Sequence, residues 1–156
     1  KWPDPSPFLS NANEVVVDEI GTAKFITMLY VLVDPSGRKI SCASAGHPPP
    51  RIVAPDGKVS QVAARGLALG IEPNQKYATE RVELAPGSAV VLYTDGVTEA
   101  RRDGELYGEA RLDKALRKHR KLGAQALAEA VLAECRSFSG GDLADDCAIV
   151  VIRLAP

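Results

Sequence analysis

Cysteine is scarce: three in 156 residues. Cys42, Cys135 and Cys147 form no C-x-x-C pair. An odd, widely spaced set cannot all pair within one chain, and it lacks the spacing of a zinc site. Each lies in an apolar stretch, which reads as a buried, reduced thiol, and reduced thiols give a cytoplasmic location as the expectation. An excess of charge of one sign is also missing. Nineteen Lys and Arg against twenty Asp and Glu leave a formal charge of −1, which excludes the basic footprint of a general nucleic-acid binder. No apolar run approaches the roughly 20 residues needed to span a bilayer, and no basic-then-apolar leader is recognisable. No membrane insertion is therefore expected. Internal repeats and low-complexity tracts are absent.

What is present is an ordinary globular balance, 46% hydrophobic and 25% charged. The length suits one domain, 1–156. A chain of this size should bury about 68–70% of its unfolded surface, enough for a core without disulfide or metal staples. It opens at Lys1 rather than Met, so it is expected to be a piece of a longer protein.

Prolines exclude regular structure over residues 1–5. Ser6 is placed to cap a helix running to Ile20, with Gly21 ending it. The uncharged run Phe25–Val33 predicts a central strand covered on both faces. The Asp34-Pro35-Ser36-Gly37 turn leads it into a second strand over Lys39–Ser44. A smaller hairpin near an edge is expected over Arg51–Ala54 and Lys58–Val62, around Pro55-Asp56-Gly57. Residues 63–76 read as loop and Ala78–Leu84 as a half-exposed strand. Ala89–Tyr93 and Cys147–Ile152 read as buried strands. Between them two helices are expected, one burying Leu112, Ala115, Leu116 and His119, the other Leu127, Ala128, Val131, Cys135 and Phe138. Gly140-Gly141 ends this pair. Strands in runs with helices grouped late give an α+β fold with a mostly antiparallel sheet.

Two carboxylate positions stand out on those strands. Asp95 follows the C-terminal end of Val90–Thr94, and Asp145-Asp146 precedes the strand that starts at Cys147. If the two strands are antiparallel neighbours, these ends share one edge of the sheet. Clustered carboxylates repel unless a cation neutralises them, and hard oxygen ligands suit Mg²⁺ or Mn²⁺. Spacing alone leaves other readings open: Asp95-Gly96 is also a turn dipeptide, and Asp145-Asp146 also a solvated strand terminus.

The run Leu84-x-Pro86-Gly87, then Val91-Leu92-Tyr93-Thr94-Asp95-Gly96-Val97-Thr98-Glu99-Ala100, resembles the metal-dependent protein phosphatases of PPM type, in their bacterial stage II sporulation E / RsbU branch. Phe25-Ile26-Thr27-Met28 matches the approach to the family's first long strand here. Ser44-Ala45-Gly46-His47-Pro48-Pro49-Pro50 is similar to its alanine-glycine-histidine-x-proline-proline segment. Gly66-Leu67-Ala68-Leu69-Gly70, Leu106-Tyr107-Gly108 with Arg111-Leu112, and Asp145-Asp146 follow in family order.

The resemblance implies two packed, mostly antiparallel sheets flanked by helices, an α-β-β-α sandwich. It implies a serine/threonine protein phosphatase with two Mn²⁺ or Mg²⁺ ions. Asp95 and Asp145 match the family's metal-binding aspartates, and Asp146 is the neighbour of the second. Gly96, Gly46 and His47 are expected to be structural. A water activated between two metals attacks phosphorus in line, so no protein nucleophile is needed. That agrees with the lack of a Ser-His-Asp or Cys-Arg arrangement. The implied substrate is a phosphorylated regulatory protein of the anti-sigma-factor antagonist class, with a sensor or regulatory domain upstream.

Two departures bear on the site. The family's early glycine-aspartate-x-x-aspartate motif has no counterpart in place: Gly141-Asp142 is near the other end, and Asp18 and Asp34 are poor substitutes. The family's first strands are accordingly expected upstream of Lys1. Ala148 stands where the closing motif usually has threonine. The alternative is a degenerate phosphatase-like module that binds a regulatory protein without turnover. His119 and the basic run Lys114–Lys121 read as a satisfied helix residue and a solvated helix face.

Overall fold

A computed structural model of the chain describes residues 4–20, 24–34, 38–141, 143 and 145–155. In chain order the elements begin with α1 (Ser6–Ile20), β1 (Met28–Val33), β2 (Lys39–Ala45), β3 (Arg51–Val53), β4 (Val59–Gln61) and β5 (Glu80–Glu83). They continue with β6 (Ala89–Tyr93), α2 (Asp95–Thr98), β7 (Arg101–Arg102), β8 (Glu105–Leu106), α3 (Gly108–Lys118), α4 (Ala124–Ser139) and β9 (Ile149–Arg153). The fold is α+β, with two larger antiparallel sheets and helices. Contacts divide it into two compact units.

The first unit takes in the chain up to Pro49 together with Val62–Leu84. Its sheet runs β1-β2-β5, with Met28 opposite Ala45 and Cys42 opposite Glu80. Leu9 of α1 packs among Ala43, Ala45, Leu69 and Tyr77. Asn13 is fully buried but satisfied: its Nδ2 donates to the Glu72 carbonyl at 2.8 Å, and its Oδ1 accepts the Gly70 N–H at 3.0 Å. One amide thus ties the long loop to the helix, and a buried amide left unpaired there would be costly.

Two expectations change in this unit. The run from Phe25 is not a central strand covered on both faces. Only Met28–Val33 is strand, at one end of the described sheet order, and Phe25 is 63% exposed. Met28–Leu32 are half-buried and Val33 is exposed, so neither face of the strand is fully covered. Ser6 is not the cap of α1. Asp4 is: its Oδ1 accepts the Ser6 N–H at 3.1 Å and the Ser6 and Thr79 hydroxyls. Lys1-Trp2-Pro3, the Gly21 stop and the Pro35–Gly37 turn lie outside the described residues.

The second unit comprises Pro50–Gln61 and the chain from Ala85 onward. Its sheet runs β4-β3-β6-β9, every pair antiparallel, with β4 at an end as the hairpin reading expects. α3 buries Leu112, Ala115 and Leu116, and α4 buries Leu127, Val131 and Cys135. Their 3.6-residue spacing places these on one stripe per helix. They join Val53, Val91, Tyr93, Val97 and Tyr107 in one core. Each fully buried leucine contributes about 1.5–3 kcal/mol. The Gly141 N–H bonds back to the Arg136 carbonyl at 2.9 Å, closing α4 where Gly140-Gly141 predicts.

Between β6 and α3 the sequence reading misses two short elements, the one-turn helix α2 and the β7–β8 hairpin. Segments of four and two residues are too short to show a period. β9 starts at Ile149 rather than Cys147 and is half-buried rather than buried, with Val150 53% exposed. It too ends its sheet.

Arg51, 2% exposed, is the buried charge of this unit. Its Nε donates to Asp113 Oδ1 at 2.9 Å, and a terminal nitrogen lies 3.0 Å from Glu109 Oε2. Its guanidinium is 5.8 Å from the centre of the Tyr93 ring. On α3 and α4, Lys118 Nζ and His119 Nε2 each reach Glu134 Oε1 at 2.7 Å. The Lys118 hydrogen bond chiefly holds the Glu134 carboxyl below its usual range. Arg117 and Lys118 remain exposed, so this run is a paired, solvated helix face.

Candidate metal-binding edge

β6 and β9 are antiparallel neighbours with Tyr93 opposite Ile149. One residue further on, the Thr94 N–H bonds to the Ala148 carbonyl at 3.1 Å. The C-terminal end of β6 and the N-terminal approach to β9 therefore meet at one edge, and the Asp95-Gly96 and Asp145-Asp146 segments meet with them.

Asp95 opens α2. Its Oδ1 accepts the Gly96 N–H at 3.0 Å, and its carbonyl accepts the Glu99 N–H at 2.8 Å and the Thr98 hydroxyl at 3.1 Å. Across the edge, Asp145 Oδ1 accepts the Asp146 N–H at 2.7 Å. Both carboxylates, and that of Asp146, face solvent. Among the described residues none of the three is neutralised by an ion pair. Burial chiefly pushes the Cys147 thiol up from its ordinary value, and the Asp145 and Asp146 charges add to the rise. The edge is locally negative.

Gly96 is where the two segments touch. It is buried, and a Cβ built on it would stand 2.6 Å from the Asp146 carbonyl oxygen. Any larger residue would force the segments apart. Thr94 links them as well: its hydroxyl donates to the Asp146 carbonyl at 2.8 Å and accepts the Ala148 N–H at 2.9 Å. The sequence pattern gives Thr94 no role of its own. Its only signal is a hydroxyl residue between a buried strand and Asp-Gly.

Gly46 and His47 belong to the first unit. Gly46 has φ +70, and a Cβ there would lie 2.9 Å from that of Ala68, so glycine is required at this turn. The Ser44 hydroxyl donates to the His47 carbonyl at 3.0 Å and accepts its N–H at 3.2 Å. His47 Nδ1 lies 3.3 Å from Thr27 Oγ1. These are the bonds of a tight turn.

The donor set at the β6–β9 edge is two unneutralised carboxylates, Asp95 and Asp145. Among the described residues no group of three or more His, Cys, Asp or Glu could hold a metal. The chemistry fits one hard divalent cation held from one side, with other ligands completing its shell. Among the described residues no helix is long and apolar enough to cross a membrane.

The chain superposes on the SiaA-PP2C domain of Pseudomonas aeruginosa with a TM-score of 0.83 at 26% identity, covering 97% of this chain and 61% of that one. It superposes on the phosphatase domain of the cell fate determinant SpoIIE from Bacillus subtilis, in a manganese-presoaked crystal, with a TM-score of 0.68 at 19% identity. That match covers 83% of this chain and 56% of the other. The family model described as Stage II sporulation protein E (SpoIIE) matches residues 1–155. The chain belongs to this family of metal-dependent, PP2C-type serine phosphatases, on its RsbU-like branch. It is 31% identical over 150 residues to the phosphoserine phosphatase RsbU of Bacillus subtilis strain 168, covering 96% of this chain and 45% of that protein.

Proposed function

We propose that this chain carries part of the active site of a phosphoserine/phosphothreonine protein phosphatase, with Asp95 and Asp145 holding one Mn²⁺ or Mg²⁺ ion. The observation that carries the reading is the junction of the Asp95-Gly96 and Asp145-Asp146 segments at the β6–β9 edge, through Thr94 and the bare face of Gly96. Bound there, a divalent ion supplies Lewis-acid polarisation of a phosphoryl oxygen and lowers the pKa of water. The residues themselves orient the ion. Each aspartate spends one oxygen on the N–H of the next residue, which fixes the carboxylate and leaves its second oxygen facing solvent. Asp146 contributes through its backbone, and Gly96 by leaving room for that backbone.

The substrate we propose is a phosphorylated regulatory protein of the anti-sigma-factor antagonist class, met in the cytoplasm. Similarity to a phosphoserine phosphatase supports the phosphoserine part of this reading. The chain spans 45% of that relative's length, so activity belongs to the full-length protein, in which further ligands complete the site. A second reading, a regulator-binding module without turnover, is favoured by the absence of a third metal-ligating carboxylate among the described residues.

The test is phosphate release from a phosphoserine protein by the full-length protein, with and without millimolar Mn²⁺, against Asp95→Asn. Turnover that needs metal and falls at least a hundredfold in the variant supports the phosphatase. Binding of the phosphoprotein with no turnover under any metal supports the module.

A further inference from the structure

We infer that Thr94 is a positioning residue whose hydroxyl sets the Asp145-Asp146 segment against the Asp95 loop, so that both carboxylates are presented to one ion. The inference rests on the metal-binding reading of the edge.

In an antiparallel ladder a hydrogen-bonded pair exchanges both N–H···O=C bonds. Thr94 and Ala148 make only the first of them, Thr94 N–H to the Ala148 carbonyl at 3.1 Å. The Thr94 carbonyl does not complete the pair; it accepts the Val97 N–H at 3.1 Å at the start of α2. The Ala148 N–H goes instead to Thr94 Oγ1 at 2.9 Å. A hydroxyl has one proton to give and lone pairs to accept with. The proton goes to the Asp146 carbonyl at 2.8 Å. One oxygen thus replaces the ladder acceptor given up to the helix and also clamps the neighbouring turn.

The clamp acts on Asp145 through a single residue, Asp146. The N–H of Asp146 is taken by Asp145 Oδ1 at 2.7 Å and its carbonyl by Thr94. With both ends of the Asp146 backbone fixed, the Asp145 carboxylate is fixed in direction relative to β6, and Asp95 follows Thr94 directly. Valine has the shape of threonine but neither donates nor accepts. Serine does both.

The experiment compares wild type, Thr94→Val, Thr94→Ser and Asp95→Asn in the full-length protein. The readouts are Mn²⁺ affinity from the electron paramagnetic resonance signal of free Mn²⁺, hydrogen exchange at the Ala148 amide, and the thermal midpoint. Loss of an outer-shell partner typically weakens metal binding 10–100-fold. Thr94→Val should therefore weaken Mn²⁺ binding by about tenfold or more and speed exchange at Ala148, while Thr94→Ser stays close to wild type on both. If Thr94→Val fails to fold, Thr94→Ala carries the same comparison. Thr94→Val binding Mn²⁺ like wild type, while Asp95→Asn is weakened, overturns the inference and leaves the site reading intact. Wild type and Asp95→Asn binding equally overturns the site reading, and the positioning role falls with it.

Discussion

The carbonyl oxygen of Asp146 occupies the space that a side chain on Gly96 would need, 2.6 Å from an ideal Cβ. The obstacle is backbone, which cannot swing aside as a flexible side chain would. Gly96→Ala should therefore lower stability by about 1–3 kcal/mol, the range for overpacking, and weaken Mn²⁺ binding by spreading the two aspartate segments. Chemical denaturation and a Mn²⁺ titration check both. A variant with unchanged midpoint and affinity would contradict the close approach.

Arg51 is buried with its charge shared by Asp113 and Glu109, which sit at 31% and 58% side-chain exposure. Truncation to alanine removes the hydrogen bonds and leaves a void, at a cost of about 3 kcal/mol. Arg51→Met refills the void, and because the carboxylates can turn to water it should cost clearly less. Urea denaturation of the two variants tests the order. Equal losses would mean that charge, not packing, holds α3 to β3.

Asp4 makes the start of α1 sensitive to acid. The hydrogen bond from Thr79, then those from Ser6, lower its carboxyl from 3.8 to about 2. A depressed acid stabilises the fold when ionised, so the contribution is full above pH 3.8 and is lost as pH falls towards 2. The difference in thermal midpoint between wild type and Asp4→Asn should be present at pH 6 and vanish near pH 2. A constant difference would exclude Asp4 as the titrating cap.

The thiols should react in a fixed order. Burial pushes Cys42 up to about 12 and Cys135 to about 11, and both are fully buried. Cys147 is only half-buried. At pH 8 a disulfide reagent should modify Cys147 in the native protein, and Cys42 and Cys135 only on unfolding. Peptide mapping by mass spectrometry reads this directly. Native-state modification of Cys42 at the rate of Cys147 would contradict the burial of β2.

Legibility in the sequence followed the range of the interaction. β2, β6 and the β3–β4 hairpin were readable because apolar runs and turn residues lie within a few positions of one another. α3 and α4 were readable from their apolar stripes. The half-exposed state of β1 and β9 was not, since it depends on which strands lie beside them. Nor was the Asp4 cap, whose partner Thr79 is 75 residues away. At the candidate site, Asp95 and Asp145 stood out by their places at strand ends. Thr94 did not, because the carbonyl its hydroxyl clamps lies 52 residues further on.

The sequence by itself determined the family and the α+β class, and it singled out the two aspartates as candidates, because ordered motifs and local periodicity are properties of the chain alone. Only the tertiary structure decided that β6 and β9 are neighbours and that Asp146 packs on Gly96. It also decided that a threonine hydroxyl takes over the acceptor its own carbonyl gives up to α2. Those outcomes rest on hydrogen bonds and excluded volume between distant segments, which exist only once the sheet has formed.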